Sequence, residues 1–261
     1  MGTKDLPAVL DFITGTTGQQ KLAYVGHSQG TTELYYGLAE MQSYFANKLS
    51  VAIMLGPVSK IPNTGSELLT FVTYFYDEIV YAADLFGVHS ILTSNWITDT
   101  ATSLFFNYLT GLCELLLSFF TTSDTKWDDE DRFQVYMDHQ PNGASVKQLL
   151  HYAQDMKEDR FQIWAPDFDD LLFPTRKTDL IPIETITTVP MAMFVGIDDI
   201  LADPTDAQWT ANTIGADVFH YQMVNAGHLS FLIAKDMSYW TTDVMNILTQ
   251  YQPLPITEFL Q

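Results

Sequence analysis

The chain has a single cysteine, Cys113, in 261 residues, so no disulfide can form within it. Leu112, Leu115 and Leu116 surround that thiol and predict a buried apolar side chain rather than a reactive one. Basic residues are scarce too: 12 Lys and Arg stand against 32 Asp and Glu, a net charge of -20. A field of that sign repels phosphate backbones and anionic bilayer surfaces, which argues against nucleic acid as a partner. The repulsion weakens where carboxylates protonate, so an acidic compartment is compatible with the chain. No Asn-x-Ser/Thr sequon occurs, and the first residues carry neither the basic nor the apolar region of a secretion signal. The longest apolar run, 103–120, is interrupted by Asn107, Gly111 and Glu114, which disfavours a membrane-spanning helix.

What is present is greasy: 47% of residues are apolar, 13% aromatic and only 17% charged, a globular composition of a length that suits one core plus an insertion. A helical pattern over 6–14 leads through a glycine-containing turn to a short apolar run, 22–25, which ends at Gly26 and reads as a buried strand. Leu34, Leu38 and Met41 then recur at helical spacing over 31–41. Further strands are predicted at 51–55, ending at Gly56-Pro57, at 189–195, ending at Gly196, and at 218–224, ending in Asn225-Ala226-Gly227. With helical patterns in the gaps, the two ends of the chain read as a mostly parallel sheet with crossover helices, an α/β architecture. The sheet-forming core is expected at 1–58 and 185–261, and 59–184 as an inserted helical cap or lid. Within the cap, 70–85 and 103–120 carry aromatics on more than one helical face, suited to packing on the sheet edge or against apolar ligand. The acidic run Asp128-Asp129-Glu130-Asp131 reads as a solvated turn, because no loop with calcium-binding spacing surrounds it.

Gly26-His27-Ser28-Gln29-Gly30 fits G-x-S-x-G, and its place between a buried strand and a helix is what gives the motif weight. There the glycines allow a strained turn, Ser28 projects from the sheet end, and the N–H of Gln29 faces a developing oxyanion at the positive end of the helix. A serine hydroxyl needs a histidine to take its proton, and a carboxylate to hold that histidine's tautomer. Of the six histidines, His228 follows a strand late in the chain and is the candidate base. His220 lies inside that strand and reads as structural, while His89, His139 and His151 fall in the cap. For the acid, Asp198 and Asp199 cannot be separated by spacing, and Asp203 before Pro204 is placed to cap the next helix instead.

These motifs resemble the acid lipases, the family that includes the gastric and lysosomal enzymes. The likeness runs through Asp5-Leu6-Pro7-Ala8, Tyr24-Val25-Gly26-His27-Ser28-Gln29-Gly30-Thr31-Thr32, Tyr136-Met137-Asp138-His139-Gln140-Pro141-Asn142-Gly143, His151-Tyr152-Ala153-Gln154, Asp199-Ile200-Leu201-Ala202-Asp203-Pro204 and His228-Leu229-Ser230-Phe231. It implies an α/β-hydrolase fold and hydrolysis of neutral lipid esters, acylglycerols or sterol esters, at a lipid–water interface. It assigns the catalytic acid to Asp199, the residue before the Ile-Leu-Ala-Asp-Pro run. No cofactor and no metal are implied, and the compartment implied is lysosomal or secreted. Family members also have an upstream region with early strands and a His-Gly loop that supplies a second oxyanion donor. The chain is therefore expected to be incomplete on its N-terminal side. A non-catalytic lipid-binding or interaction protein is the alternative reading.

Overall fold

The computed structural model describes residues 1–87, 90–91, 126–129, 143–164 and 177–252. Cys113, His89, His139, the 103–120 stretch and the 136–142 motif lie outside these residues.

Four strands form one parallel sheet: β1 (Leu22–His27), β2 (Leu49–Leu55), β5 (Met191–Gly196) and β6 (Val218–Val224), in the order β1-β2-β5-β6. β2 lies second in the sheet, and of its seven residues only Ser50 escapes burial. Its side chains alternate: Ala52 and Met54 enter one core, Val51, Ile53 and Leu55 the other, as the two-residue period of a strand requires. The first core is closed by Leu6 and Leu10 of α1 (Asp5–Thr17), by Leu34, Leu38 and Phe45 of α2 (Gln29–Lys48), and by Ala211 and Ile214 of a helix after β5. The second is closed by Phe231, Tyr239, Val244 and Ile247 from the segment after β6. Helices thus cover both faces of the sheet, as parallel strands demand. Each fully buried Leu, Ile or Phe contributes roughly 1.5–3 kcal/mol of burial.

Local signals set the helix ends. α1 stops where Gly18 adopts φ 71 and its N–H bonds to Thr14, a left-handed cap that glycine takes without penalty. α2 runs further than the apolar spacing suggests, because the chain passes through one non-helical residue, Met41, and continues to Lys48. Between β2 and β5 lie α3 (Glu67–Tyr74), α4 (Tyr76–Phe86), the short antiparallel pair β3 (Ser90–Ile91) and β4 (Ala144–Ser145), and α5 (Val146–Glu158). Ser145 and Gln148 form a capping box at the start of α5. Val72 and Tyr76 pack on Val146, Leu150 and Ala153 in a small core of their own. After β5, Asp203 accepts the N–H of Thr205 at 2.7 Å and Pro204 opens α6 (Pro204–Ile214), the capping arrangement its sequence suggests. α7 (Ser230–Ile233) and α8 (Met245–Tyr251) follow β6. Among the described residues, no helix is long and apolar enough to cross a membrane.

Candidate active site

Ser28 is one of two non-glycine residues with positive φ among the described residues, at φ 54. Such a conformation costs on the order of 1–3 kcal/mol and persists only where its surroundings enforce it. Here they do. The Ser28 N–H bonds to the Leu55 carbonyl at 3.0 Å, and the Ser28 carbonyl accepts both the Thr31 N–H (2.9 Å) and the Thr31 hydroxyl (2.6 Å). The Tyr24 hydroxyl donates to the Gly30 carbonyl at 2.7 Å, and a Cβ on Gly26 would stand 2.7 Å from the Tyr24 ring. The turn therefore needs glycine at position 26. Gln29 is the first residue of α2, so its N–H has no partner within the helix and points out of the positive helix end.

Two loops deliver the remaining groups. His228 Nε2 lies 2.7 Å from Ser28 Oγ, and His228 Nδ1 lies 2.8 Å from Asp199 Oδ2. An ionised Asp199 only accepts, so this contact fixes the proton on Nδ1 and leaves Nε2 to accept from the serine. Asp199 Oδ1 is occupied by the N–H groups of Leu201 (3.0 Å) and Ala202 (2.7 Å). Both Asp199 and His228 are buried, 2% and 4% exposed, so their contact lies in a medium where electrostatic interactions are stronger than in water. Gly56, at φ 52, ends β2 beneath them; a Cβ there would lie 3.2 Å from Asp199 Oδ2 and 3.4 Å from His228 Nδ1. A Cβ on Gly196 would lie 2.4 Å from the Ala226 carbonyl, so the loops after β5 and β6 meet only because residue 196 has no side chain.

The structure brings Ser28, Gln29, Asp199 and His228 to one end of the sheet and sends the neighbouring carboxylate elsewhere. Asp198 Oδ2 accepts the Trp127 indole N–H at 2.6 Å and pairs with Lys126 at 2.8 Å. Those two bonds, with Lys126 first, hold the Asp198 carboxyl below its usual range. His220 lies in β6 against Phe194 and contacts Gln222 at 2.9 Å. His151 sits on α5 with Nε2 2.7 Å from the Gln162 carbonyl. One expectation needs correction: Asp128 is not in a solvated turn. It is 8% exposed and accepts the hydroxyl of Ser230, because a segment 102 residues later folds over it.

His27, the residue before the serine, also belongs to this cluster. Its Nε2 lies 2.8 Å from the His228 carbonyl and its ring 4.8 Å from the His228 ring. A carbonyl only accepts, so Nε2 of His27 carries the proton. Burial, and then the neighbouring His228 imidazole, push the His27 pKa down to about 4, which keeps it a neutral donor at ordinary pH. Its signal was the variable position of the G-x-S-x-G motif, read only as a spacer. Among the described residues, no group of three His, Cys, Asp or Glu side chains converges to hold a metal ion.

A cavity of about 300 Å³ begins at Gln29 and runs between α2 and α5, walled by Tyr36, Tyr152, Phe161, Ile163 and Trp164.

No family model matches the chain. Its sequence is 32% identical to bovine gastric triacylglycerol lipase over 240 residues, 90% of this chain and 59% of that protein. It is 29% identical to human lysosomal acid lipase/cholesteryl ester hydrolase over 261 residues, 97% of this chain and 63% of that protein. The chain thus spans about three-fifths of the length of the curated relatives it matches. Among solved structures, a soluble variant of monoglyceride lipase from Saccharomyces cerevisiae superposes with a TM-score of 0.48 at 16% identity, covering 95% of this chain and 67% of that one.

Proposed function

The chain is acid-lipase-like over nine-tenths of its length, and from that premise we propose that it is a serine carboxylic ester hydrolase acting on neutral lipid esters. One observation carries the reading: Ser28 Oγ, the His228 imidazole and the Asp199 carboxylate form an unbroken hydrogen-bonded relay of 2.7 and 2.8 Å. In this reading His228 takes the Ser28 proton as Oγ attacks the ester carbonyl, and Asp199 stabilises the imidazolium that results. The Gln29 N–H stabilises the oxyanion. His228 then protonates the leaving alcohol and activates water to release the acyl group.

The lipid character of the substrate is supported by two apolar features. Phe71, Tyr74, Tyr81, Leu85 and Phe86 of α3 and α4 are 55–81% exposed, apolar surface on this side of the chain that a lipid could cover. The cavity beside Gln29 is large enough for an acyl chain or an alcohol group. On this view 59–184 is a cap whose helices meet a lipid surface. A lysosomal or secreted setting follows from the same likeness and fits the net charge of -20. The test is release of p-nitrophenol from short- and long-chain esters by the protein and by Ser28→Ala. Hydrolysis that Ser28→Ala abolishes, rising above the critical micelle concentration, supports a lipase. Equal background from both proteins refutes hydrolysis and leaves lipid binding alone.

A further inference from the structure

Outside the Ser28–His228–Asp199 relay, Asp128 is a buried acidic side chain, 8% exposed. A carboxylate taken out of water costs several kcal/mol unless it is well bonded, and Asp128 is bonded in a particular way. Its Oδ1 accepts the Ser230 hydroxyl proton at 2.5 Å. With its proton committed, Ser230 Oγ presents a lone pair to the Gly227 N–H at 2.9 Å. Gly227 is the residue before His228. On the other side, His27 donates to the His228 carbonyl at 2.8 Å. The backbone on which the imidazole turns is therefore held by two different side chains, at the peptide before Gly227 and at the peptide after His228.

The run that carries Asp128 is itself tied down. Asp128 pairs with Ala234 in an antiparallel bridge, the Asp129 N–H bonds to the Ile233 carbonyl at 2.8 Å, and the Lys235 N–H bonds to the Trp127 carbonyl at 2.8 Å. Trp127 and Lys126 meanwhile hold Asp198, the neighbour of Asp199. Four consecutive residues from between β2 and β5 thus touch both loops that supply the relay.

We propose that Asp128, acting through Ser230, is a positioning residue that fixes the His228 loop, and that 126–129 clips this loop to the loop bearing Asp199. The consequence for hydrolysis rests on the reading of Ser28 as nucleophile; the consequence for the His228–Asp199 geometry does not. A displacement of about 1 Å at a reacting group costs on the order of 100-fold in rate, so a partial release of the loop predicts a loss of about 10-fold.

The test compares Asp128→Ala, Asp128→Asn, Ser230→Ala and the Asp128→Ala/Ser230→Ala pair in the intact chain. Three quantities are read: the downfield proton resonance of His228 Nδ1–H, the rate of Ser28 labelling by a fluorophosphonate, and kcat and KM on a soluble ester. Asp128→Ala and Ser230→Ala should each broaden or lose the resonance and slow labelling and kcat by about 10-fold, with KM within about two-fold. Asp128→Asn retains an acceptor oxygen and should recover most of the loss. The double variant should be no worse than either single one, because the two side chains act as one unit. A resonance unchanged in Asp128→Ala, or losses that multiply in the double variant, would overturn the proposal. If the unaltered protein is not labelled at all, the hydrolase reading fails. The resonance alone then decides: its loss in Asp128→Ala upholds the clip and its persistence refutes it.

Discussion

Two polar clusters flank α2, and they are buried to similar degrees but satisfied very differently. Around His228, the serine, imidazole and carboxylate groups are bonded to one another, and Asp199, His27, Ser230 and Asp128 all have named partners. In the cavity between α2 and α5, Asp155 is 2% exposed yet its Oδ1 has no partner, and neither does the Trp164 indole N–H. Burial raises the Asp155 carboxyl well above its usual range, with the Gln162 backbone opposing. Burial alone therefore does not make a working polar site; complementary partners do. The first cluster has the fixed geometry that proton transfer needs, while each orphaned group in the second costs about 1–3 kcal/mol.

Removing a member of the relay should cost the most activity. Ser28→Ala or His228→Ala should lower kcat by 10⁴-fold or more, on the order seen when such units lose a member. Asp199→Asn should cost about 10⁴-fold by favouring the wrong imidazole tautomer, whereas Asp198→Asn should cost less than about 10-fold. Steady-state kinetics on a soluble ester distinguishes them. Equal losses for the two aspartates would mean that the acid has been misassigned.

A smaller effect is acid sensitivity at His27. Its folded pKa of about 4 lies below the ordinary value near 6.5, so as pH falls the unfolded chain takes up the proton first. The stabilisation is complete above pH 6.5 and is lost as pH falls toward 4, a contribution of about 3 kcal/mol. Urea unfolding at pH 7, 5 and 4 should show that slope, flattened in His27→Gln. An unchanged slope would show that His27 is not the group responsible.

Asp155 should give the smallest effect and the opposite sign. Its folded pKa is raised, so its contribution is present below the unfolded value and is lost as pH rises toward the folded one. Asp155→Leu should stabilise the protein at pH 7 by about 1–3 kcal/mol, and by less at pH 4, as thermal unfolding would show. A destabilised Asp155→Leu would mean that the orphaned oxygen has a partner in solution.

The same contrast explains what could be read from the sequence. The four strands were legible because each has a breaker at or within one residue of its end, Gly26, Gly56, Gly196 or the Asn225-Ala226-Gly227 turn, although β1 passes through Gly26 to His27. The placement of Ser28 and His228 just after strands was legible because strand-then-loop context is local. Asp198 and Asp199 were not separable by spacing, since adjacent residues leave a loop in opposite directions: one meets His228, the other Trp127 and Lys126. Family likeness pointed to Asp199; in the structure the Leu201 and Ala202 N–H groups hold its Oδ1 while Oδ2 meets His228. Asp128 was misread because an acidic run carries the local signature of solvent. Its burial depends on Ser230, far along the chain. His27 was overlooked because its partner is a backbone carbonyl, and every residue type supplies one.

If Ser28 is an activated nucleophile, a fluorophosphonate followed by peptide mass mapping reveals it. One adduct is expected, on Ser28, absent in Ser28→Ala and strongly slowed in His228→Ala. No adduct on the native protein, or an adduct that persists in Ser28→Ala, would contradict it.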